Sequence, residues 1–233
     1  MDSNEKKSGV KKRVSRREFL KMTGKVTAGA ILAQTVPSFF WVGDAIAAIP
    51  VSGGYLLIDT KKCGGCCSCM LACSLAHEGV EDLSLARIQI AQDPWGKYPN
   101  DLITGQCRQC VNAECVKACP TGALHADPKN ANVRVVDADK CIGCQSCVQA
   151  CPYAPSRAIW NSYADCAQKC DLCADTPYLN GKGGPGKMQA CVEICPMKAI
   201  KFTTEVPSQI GDAGYSPNLR TANWERLGFP TNN

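Results

Sequence analysis

Apolar residues along this chain come in short bursts rather than in long periodic runs. YLLID (55–59) and AIKFTT (199–204) have the length and composition of short strands that could pair with each other. Val133–Val136 reads as a strand between turns, the first of them the tight polar DPKN. ARIQIAQ alternates as a half-buried strand does, and the polar loop DPWGKYPND follows it. The triplets VKA, VQA and VEI fit single helical turns. TPYLNGKGGPGKMQA (176–190) is rich in Gly and Lys and reads as a mobile loop, either a surface excursion or a docking contact. From Val206 to Asn233 the chain is rich in Pro, Asn and Gly. Its one amphipathic piece, LRTANWERLGF, gives Trp224 and Phe229 little local core to join, so 206–233 reads as a partner-contacting tail, the alternative being a tail that packs back on its own domain. No apolar run after residue 50 approaches the length of a membrane span, so a soluble mature protein is expected.

Such bursts do not build a large core. In 233 residues aromatics make up only 6 %, whereas cysteine occurs 18 times. Cross-links or metal centres are the usual means of holding such a chain together. Charge narrows the function. Residues 1–47 carry nine Lys/Arg against four Asp/Glu, and the remainder carries 17 of each. A formally neutral mature chain argues against nucleic-acid binding, which needs a basic face. Two histidines, His77 and His125, leave few candidates for acid–base or nucleophile–histidine catalysis.

The basic opening, Lys6 to Arg13, leads into SRREFLKMTG (15–24), the apolar stretch TAGAILAQTVPSFFWV and AIA at 45–47. Charged region, apolar region and small-residue end are the parts of a secretory signal. The pair Arg16–Arg17 before Phe19-Leu20-Lys21 resembles the twin-arginine signal, with cleavage expected after Ala47. That route exports proteins already folded with their cofactors. Export therefore does not force a disulfide reading of the cysteines.

Sixteen of the eighteen cysteines fall into four groups. CGGCCSCMLAC holds Cys63, Cys66, Cys69 and Cys73. CRQCVNAECVKACP holds Cys107, Cys110, Cys115 and Cys119. CIGCQSCVQACP holds Cys141, Cys144, Cys147 and Cys151. CDLC, with Cys170 and Cys173, is completed after an insertion by CVEICP, with Cys191 and Cys195. Thiolates at x2 spacing let a loop wrap one small centre, and a cysteine three residues further on faces away from it. Pro120, Pro152 and Pro196 then fix the exit angle; Ser74 replaces proline in the first motif. Four-cysteine zinc sites and a disulfide framework are the alternatives. Neither explains the recurrent x3-Cys-Pro tail, and cubane iron–sulfur clusters do. Cys67 and Cys166 are left over and read as non-ligating.

The motif order, the twin-arginine signal and the KCDLC…CVEICP ending resemble the four-cluster electron-transfer subunits of the dimethyl-sulfoxide-reductase family. The polysulfide, tetrathionate and formate oxidoreductase small subunits share this layout. The resemblance implies an α+β fold of two nested bacterial-ferredoxin-like dicluster modules with long loops and little regular secondary structure. The inner module is 104–158; the outer one is 55–80 plus 164–205. It implies four [4Fe–4S] clusters, on Cys63, Cys66, Cys69 and Cys195; Cys73, Cys170, Cys173 and Cys191; Cys107, Cys110, Cys115 and Cys151; and Cys119, Cys141, Cys144 and Cys147. It implies a non-catalytic subunit exported to the periplasm or the outer face of the cytoplasmic membrane. Its partners would be a molybdenum or tungsten pterin enzyme and a quinone-linked membrane subunit or cytochrome. A stand-alone periplasmic polyferredoxin shuttle is the alternative.

Overall fold

YLLI, LITGQ, VRVV and CAQK each run as a strand directly into a cysteine motif, and a second short strand leaves each motif. In the computed structural model, which describes residues 48–231, this makes four copies of one unit. The first is β1 (Tyr55–Ile58), α1 (Ser68–Glu78) and β2 (Ile88–Gln92). The second is β3 (Leu102–Gln106), α2 (Glu114–Lys117) and β4 (Leu124–Asp127). The third is β5 (Val133–Val136), α3 (Ser146–Gln149) and β6 (Ala158–Asn161). The fourth is β7 (Cys166–Lys169), α4 (Ala190–Ile194) and β8 (Ile200–Thr203). A short α5 (Ala222–Arg226) lies in the tail. The expected signal, residues 1–47, lies outside the described residues. No described helix is long and apolar enough to cross a membrane.

The strands form four antiparallel two-stranded ladders: β1–β8, β2–β3, β4–β5 and β6–β7. The expected partnership of YLLID with AIKFTT is the first of them, in the register Tyr55↔Thr203 to Ile58↔Ile200. Each exit strand pairs with the next unit's entry strand, and the last unit pairs back to the first. Two ladders therefore join the 104–158 segment to its flanks: β2–β3, and β6–β7 with Trp160 opposite Ala167. The sequence pattern foresaw β1, β2, β5 and β8. It did not foresee β3, β4, β6 or β7, whose mixed composition carries no period-2 signal. The fold is mixed α+β with little regular structure.

A two-stranded ladder is marginal alone, so each needs something to pack on. The largest apolar cluster combines Leu56, Ile58, Met70, Ile88, Val133 and Leu172 with Cys69, Cys73, Cys107, Cys170, Cys191 and Cys195. Burying an aliphatic side chain contributes ~1.5–3 kcal/mol, and these are few. The core is in large part cysteine.

One helix departs from the pattern of single turns. In α1 the residues Cys69, Met70, Cys73, Ala76 and His77 share one buried face, as i, i+3, i+4 spacing requires. Proline follows Cys119, Cys151 and Cys195 and stops the other helices. Ser74 stands there in the first motif, so α1 continues to Glu78. Gly79 closes it in the left-handed region (φ 73°), its N–H donating to the Leu75 carbonyl at 3.0 Å. A Cβ there would also meet the Tyr178 ring at 2.5 Å.

The Gly- and Lys-rich segment 176–190 folds back on the fourth unit. Thr176 Oγ1 donates to the Cys173 carbonyl at 3.1 Å, and Gln189 Nε2 donates to the Gly184 carbonyl at 2.9 Å. Gly183 lies so close that a Cβ would stand 2.2 Å from the Cys173 oxygen. The tail also packs on its own domain through Tyr215, which is fully buried and donates its hydroxyl to the Arg108 carbonyl at 2.7 Å. A second anchor is Asp59, whose Oδ2 accepts from Leu219 N at 2.8 Å and from Arg220 Nε at 3.1 Å. Ile210 and Leu227 remain exposed, and Trp224 stacks on Phe229 at 5.1 Å.

Candidate metal centres

Each cysteine loop repeats one backbone device. The residue before the second cysteine is left-handed in all four: Gly65 (φ 66°), Gln109 (φ 47°), Gly143 (φ 72°) and Leu172 (φ 56°). That conformation curls the loop so that its thiols turn inward. The motif's last cysteine then accepts an N–H from the chain entering the exit strand. Arg87 N reaches Cys73 Sγ at 3.3 Å, Leu124 N reaches Cys119 at 3.3 Å, Arg157 N reaches Cys151 at 3.2 Å, and Ala199 N reaches Cys195 at 3.3 Å. Four unlike sequences thus converge on one geometry.

The thiols line four separate small cavities. Site A is lined by Cys63, Cys66, Cys69 and Cys195, with Cys67 beside them. Site B is lined by Cys73, Cys170, Cys173 and Cys191. Site C is lined by Cys107, Cys110, Cys115 and Cys151. Site D is lined by Cys119, Cys141, Cys144 and Cys147. Every site therefore mixes cysteines of two motifs. None of the eighteen cysteines is joined in a disulfide, so no disulfide framework is present.

Helices set the spacing between sites. α1 carries Cys69 of A and Cys73 of B, four residues and ~6 Å of helix apart. α4 and its C-terminal residue carry Cys191 of B and Cys195 of A. α2 and α3 link C to D in the same way, through Cys115 and Cys119 and through Cys147 and Cys151. Between B and C stands Gln109, fully buried. Its Nε2 donates to the Cys170 carbonyl at 2.8 Å, and its Oε1 accepts from Arg134 N at 2.9 Å. The order is A–B–C–D. All four cysteines of B are buried, while Cys66 of A and Cys144 of D are exposed.

Burial shapes the thiols' chemistry. It pushes Cys69, Cys115 and Cys173 up to about 12 and Cys170 and Cys191 well above their ordinary value. These thiols become thiolates only when a cation arrives to hold them, with release of their protons. Cys119 goes the other way: burial would raise it, but N–H and hydroxyl donors from Leu124 and Thr121 prevail and lower it.

Two features escaped the sequence pattern. At site B, Asp171 is buried and accepts from His77 Nε2 at 3.0 Å and Arg87 Nη1 at 2.7 Å. His77 Nδ1 lies 2.8 Å from the Cys73 carbonyl. Burial would lower the His77 pKa, but its bonds to Asp171 and Cys73 raise it to about 10. At site C the walls include Arg108, Arg134, Arg157 and Lys169, all nearly inaccessible. Arg108 Nε and Nη1, Arg134 Nε, and Arg157 Nε and Nη1 have no hydrogen-bond partner. Lys169 Nζ donates to the Arg134 and Cys170 carbonyls at 3.0 and 3.3 Å. Burial disfavours its charge, but the sulfurs of Cys107 and Cys115, once ionised, more than offset this and raise its pKa. The signal was present as RQC, SRA and QKC, where a cation stands beside or near a cysteine.

Buried cations with orphaned N–H groups call for an anion. An iron–sulfur cubane with four thiolates is one, and it would sit in the cavity that these residues line. A single zinc ion fits less well, because among the described residues no three His, Cys, Asp or Glu side chains are grouped to hold one ion. The residues present thus fit an iron–sulfur cluster.

The leftover cysteines differ. Cys67 occupies the place in the first motif that Gln145 occupies in the third, and both are left-handed at φ 59° on the step into a helix. Its thiol donates to the Gly65 carbonyl at 3.5 Å. Cys166 lies buried in β7 and lines none of the four cavities. It borders a larger cleft that also includes His125 and Asp137 but none of the sixteen motif cysteines.

Comparison with known proteins agrees with this chemistry. Residues 100–205 match the 4Fe-4S dicluster domain. A protein NrfC homolog of Haemophilus influenzae is 39% identical over 150 residues, 63% of this chain and 63% of that one. The thiosulfate reductase electron transfer subunit PhsB of Salmonella typhi is 37% identical over 150 residues, 63% of this chain and 73% of its own. Protein NrfC of Escherichia coli is 35% identical over 198 residues, 81% of this chain and 79% of its own. The chain belongs to the family of ferredoxin-like 4Fe-4S dicluster proteins that includes these relatives.

Proposed function

We propose that this protein is the electron-transfer subunit of an exported anaerobic respiratory oxidoreductase and that it carries four [4Fe–4S] clusters in a row. The observation that carries the reading is the sorting of sixteen cysteines into four sets of four, each drawn from two motifs. Sites A, B, C and D hold one cluster each, on the sixteen cysteines named above, and Cys67 and Cys166 hold none. Each cluster supplies one-electron chemistry when bound. The chain's own residues fix A to B and C to D a helical turn apart, exclude water from B and C, and direct backbone N–H groups at the sulfurs. Exposed cysteines at A and D make these the sites where electrons enter and leave. No substrate is transformed on this chain.

In this reading 104–158 and 55–80 plus 164–205 are nested two-cluster modules, and the exposed apolar side chains of 206–233 contact a partner. That partner is a catalytic subunit with a molybdenum or tungsten pterin centre. A quinone-linked membrane subunit or a cytochrome takes the other end. The twin-arginine signal places the complex in the periplasm or on the outer face of the cytoplasmic membrane. One relative is named as a thiosulfate reductase electron transfer subunit. Another, from Salmonella typhimurium and 32% identical over 192 residues, is named as a subunit of tetrathionate reductase. Both support a respiratory complex.

The test is anaerobic purification from the native host through a tag on this chain, with molybdenum, tungsten and iron measured per protein. Molybdenum or tungsten near one per chain, with a large companion on the same gel, is expected. Iron alone without a companion would favour a free polyferredoxin shuttle.

A further inference from the structure

Reducing a four-thiolate cubane turns a dianion into a trianion. Fixed positive charge close by, in a medium too dry to screen it, therefore favours the reduced form. The four sites differ in this respect. The walls of A and D contain no charged side chain: Ile58, Ile90 and Ile200 line A, and Leu124, Val136 and Ile142 line D. At B the cations Arg87 and His77 are both held by the buried carboxylate of Asp171. Around C stand Arg108, Arg134, Arg157 and Lys169, with 3%, 1%, 6% and 4% of their surface exposed. The carboxylates near them face water. Asp212 holds Arg108 at 2.5 Å with 56% of its side chain exposed, and Glu114 on the cavity rim is exposed and paired with Lys117 at 3.0 Å.

We propose that site C is the electron well of the chain: its cluster has the highest reduction potential of the four, set by the four buried cations. The inference rests on the cluster reading above. Filling the well takes one electron from the cluster at B or D, which is oxidised by one. No bond forms or breaks. An electron entering at either end comes to rest in the interior, away from the exposed cysteines.

The test is an EPR-monitored redox titration of the anaerobically prepared full chain. The variants are Arg157→Gln and Lys169→Gln, with Arg157→Lys and Lys169→Arg as charge-preserving partners. Arg157 donates to Cys151 through its main chain, so its replacement leaves that bond in place. Each neutralising change should lower the highest-potential couple. A tenfold loss in its reduced-to-oxidised ratio at fixed potential is a shift of ~59 mV for a one-electron couple. The two together should lower it further, the charge-preserving variants should leave it in place, and iron should stay at ~16 per chain. The proposal is overturned if the highest couple stays unmoved in both neutralised variants. It is also overturned if another couple moves instead, or if the charge-preserving variants shift it as far. Neutralised variants with full iron and an unmoved highest couple sink this inference alone. A wild-type chain without cluster signals sinks the cluster reading and this inference with it.

Discussion

Sites B and C are the two interior cavities, joined by Gln109, and the protein treats charge in opposite ways at each. At B a buried carboxylate, Asp171, gathers His77 and Arg87 and also accepts from Cys173 N at 2.9 Å. The charges close on one another inside the protein. At C four cations face a cavity with no buried carboxylate, and five guanidinium nitrogens have no partner. Site B holds its own counter-charge before a cluster arrives and leaves one guanidinium nitrogen, Arg87 Nε, without a partner, whereas the cations of site C are completed by its cluster. A buried ion pair broken from one side costs more than an unpaired group removed.

The largest effect should therefore come from Asp171. Asp171→Asn leaves His77 buried without its counter-charge and Arg87 with only Glu78 at 3.5 Å, at a cost of ~3–5 kcal/mol. Thermal unfolding should show that loss, and iron should fall by ~4 per chain, one cubane's worth. Site C should keep its cluster in that variant. Gln109→Ala comes next. It removes the hydrogen bond to the Cys170 carbonyl that joins C to B and the one from Arg134 N within C, and a cost of ~1–3 kcal/mol is expected in denaturant melts. Gln109→Gly should be milder by ~1 kcal/mol, since only it relieves the left-handed backbone. At C, Arg157→Met strands no carboxylate. The lost contact is its guanidinium over the Tyr153 ring at 5.7 Å, a cation–π interaction of ~1–2 kcal/mol for so buried a cation. A melt in which Arg157→Met costs as much as Asp171→Asn would erase the contrast between the sites. The smallest effect belongs to Cys67→Ser. Iron content should be unchanged, because Cys67 matches Gln145 in backbone and position. Loss of ~4 irons would move Cys67 into the ligand set of site A.

The sequence made the cysteine grammar legible because ligand spacing is a local property. CxxC and the x3 cysteine are set by loop geometry within a dozen residues, so the four motifs stood out unaided. Strands β1 and β8 were readable from YLLI and IKFT, although their partners lie about 140 residues apart in the chain. Strands such as CAQK and LITGQ were not readable, since their conformation comes from tertiary pairing rather than from composition. Asp171 and Lys169 flank Cys170 in KCDLC, yet nothing local says that one faces B and the other C. That split follows from the alternation of a strand running into a left-handed turn. The tail shows the same limit. Tyr215 is its buried anchor, whereas the sequence drew attention to Trp224 and Phe229, which stack mainly on each other.

The fold and the sites depend on one arrangement: four cavities, each closed by cysteines of two motifs. Iron and acid-labile sulfide measured on the anaerobically produced full chain, together with zinc, test it most directly. The expected result is ~16 iron and ~16 sulfide per chain without zinc, four cubanes' worth. Zinc in place of iron, or ~8 iron with half of the cysteines open to alkylation, would contradict it.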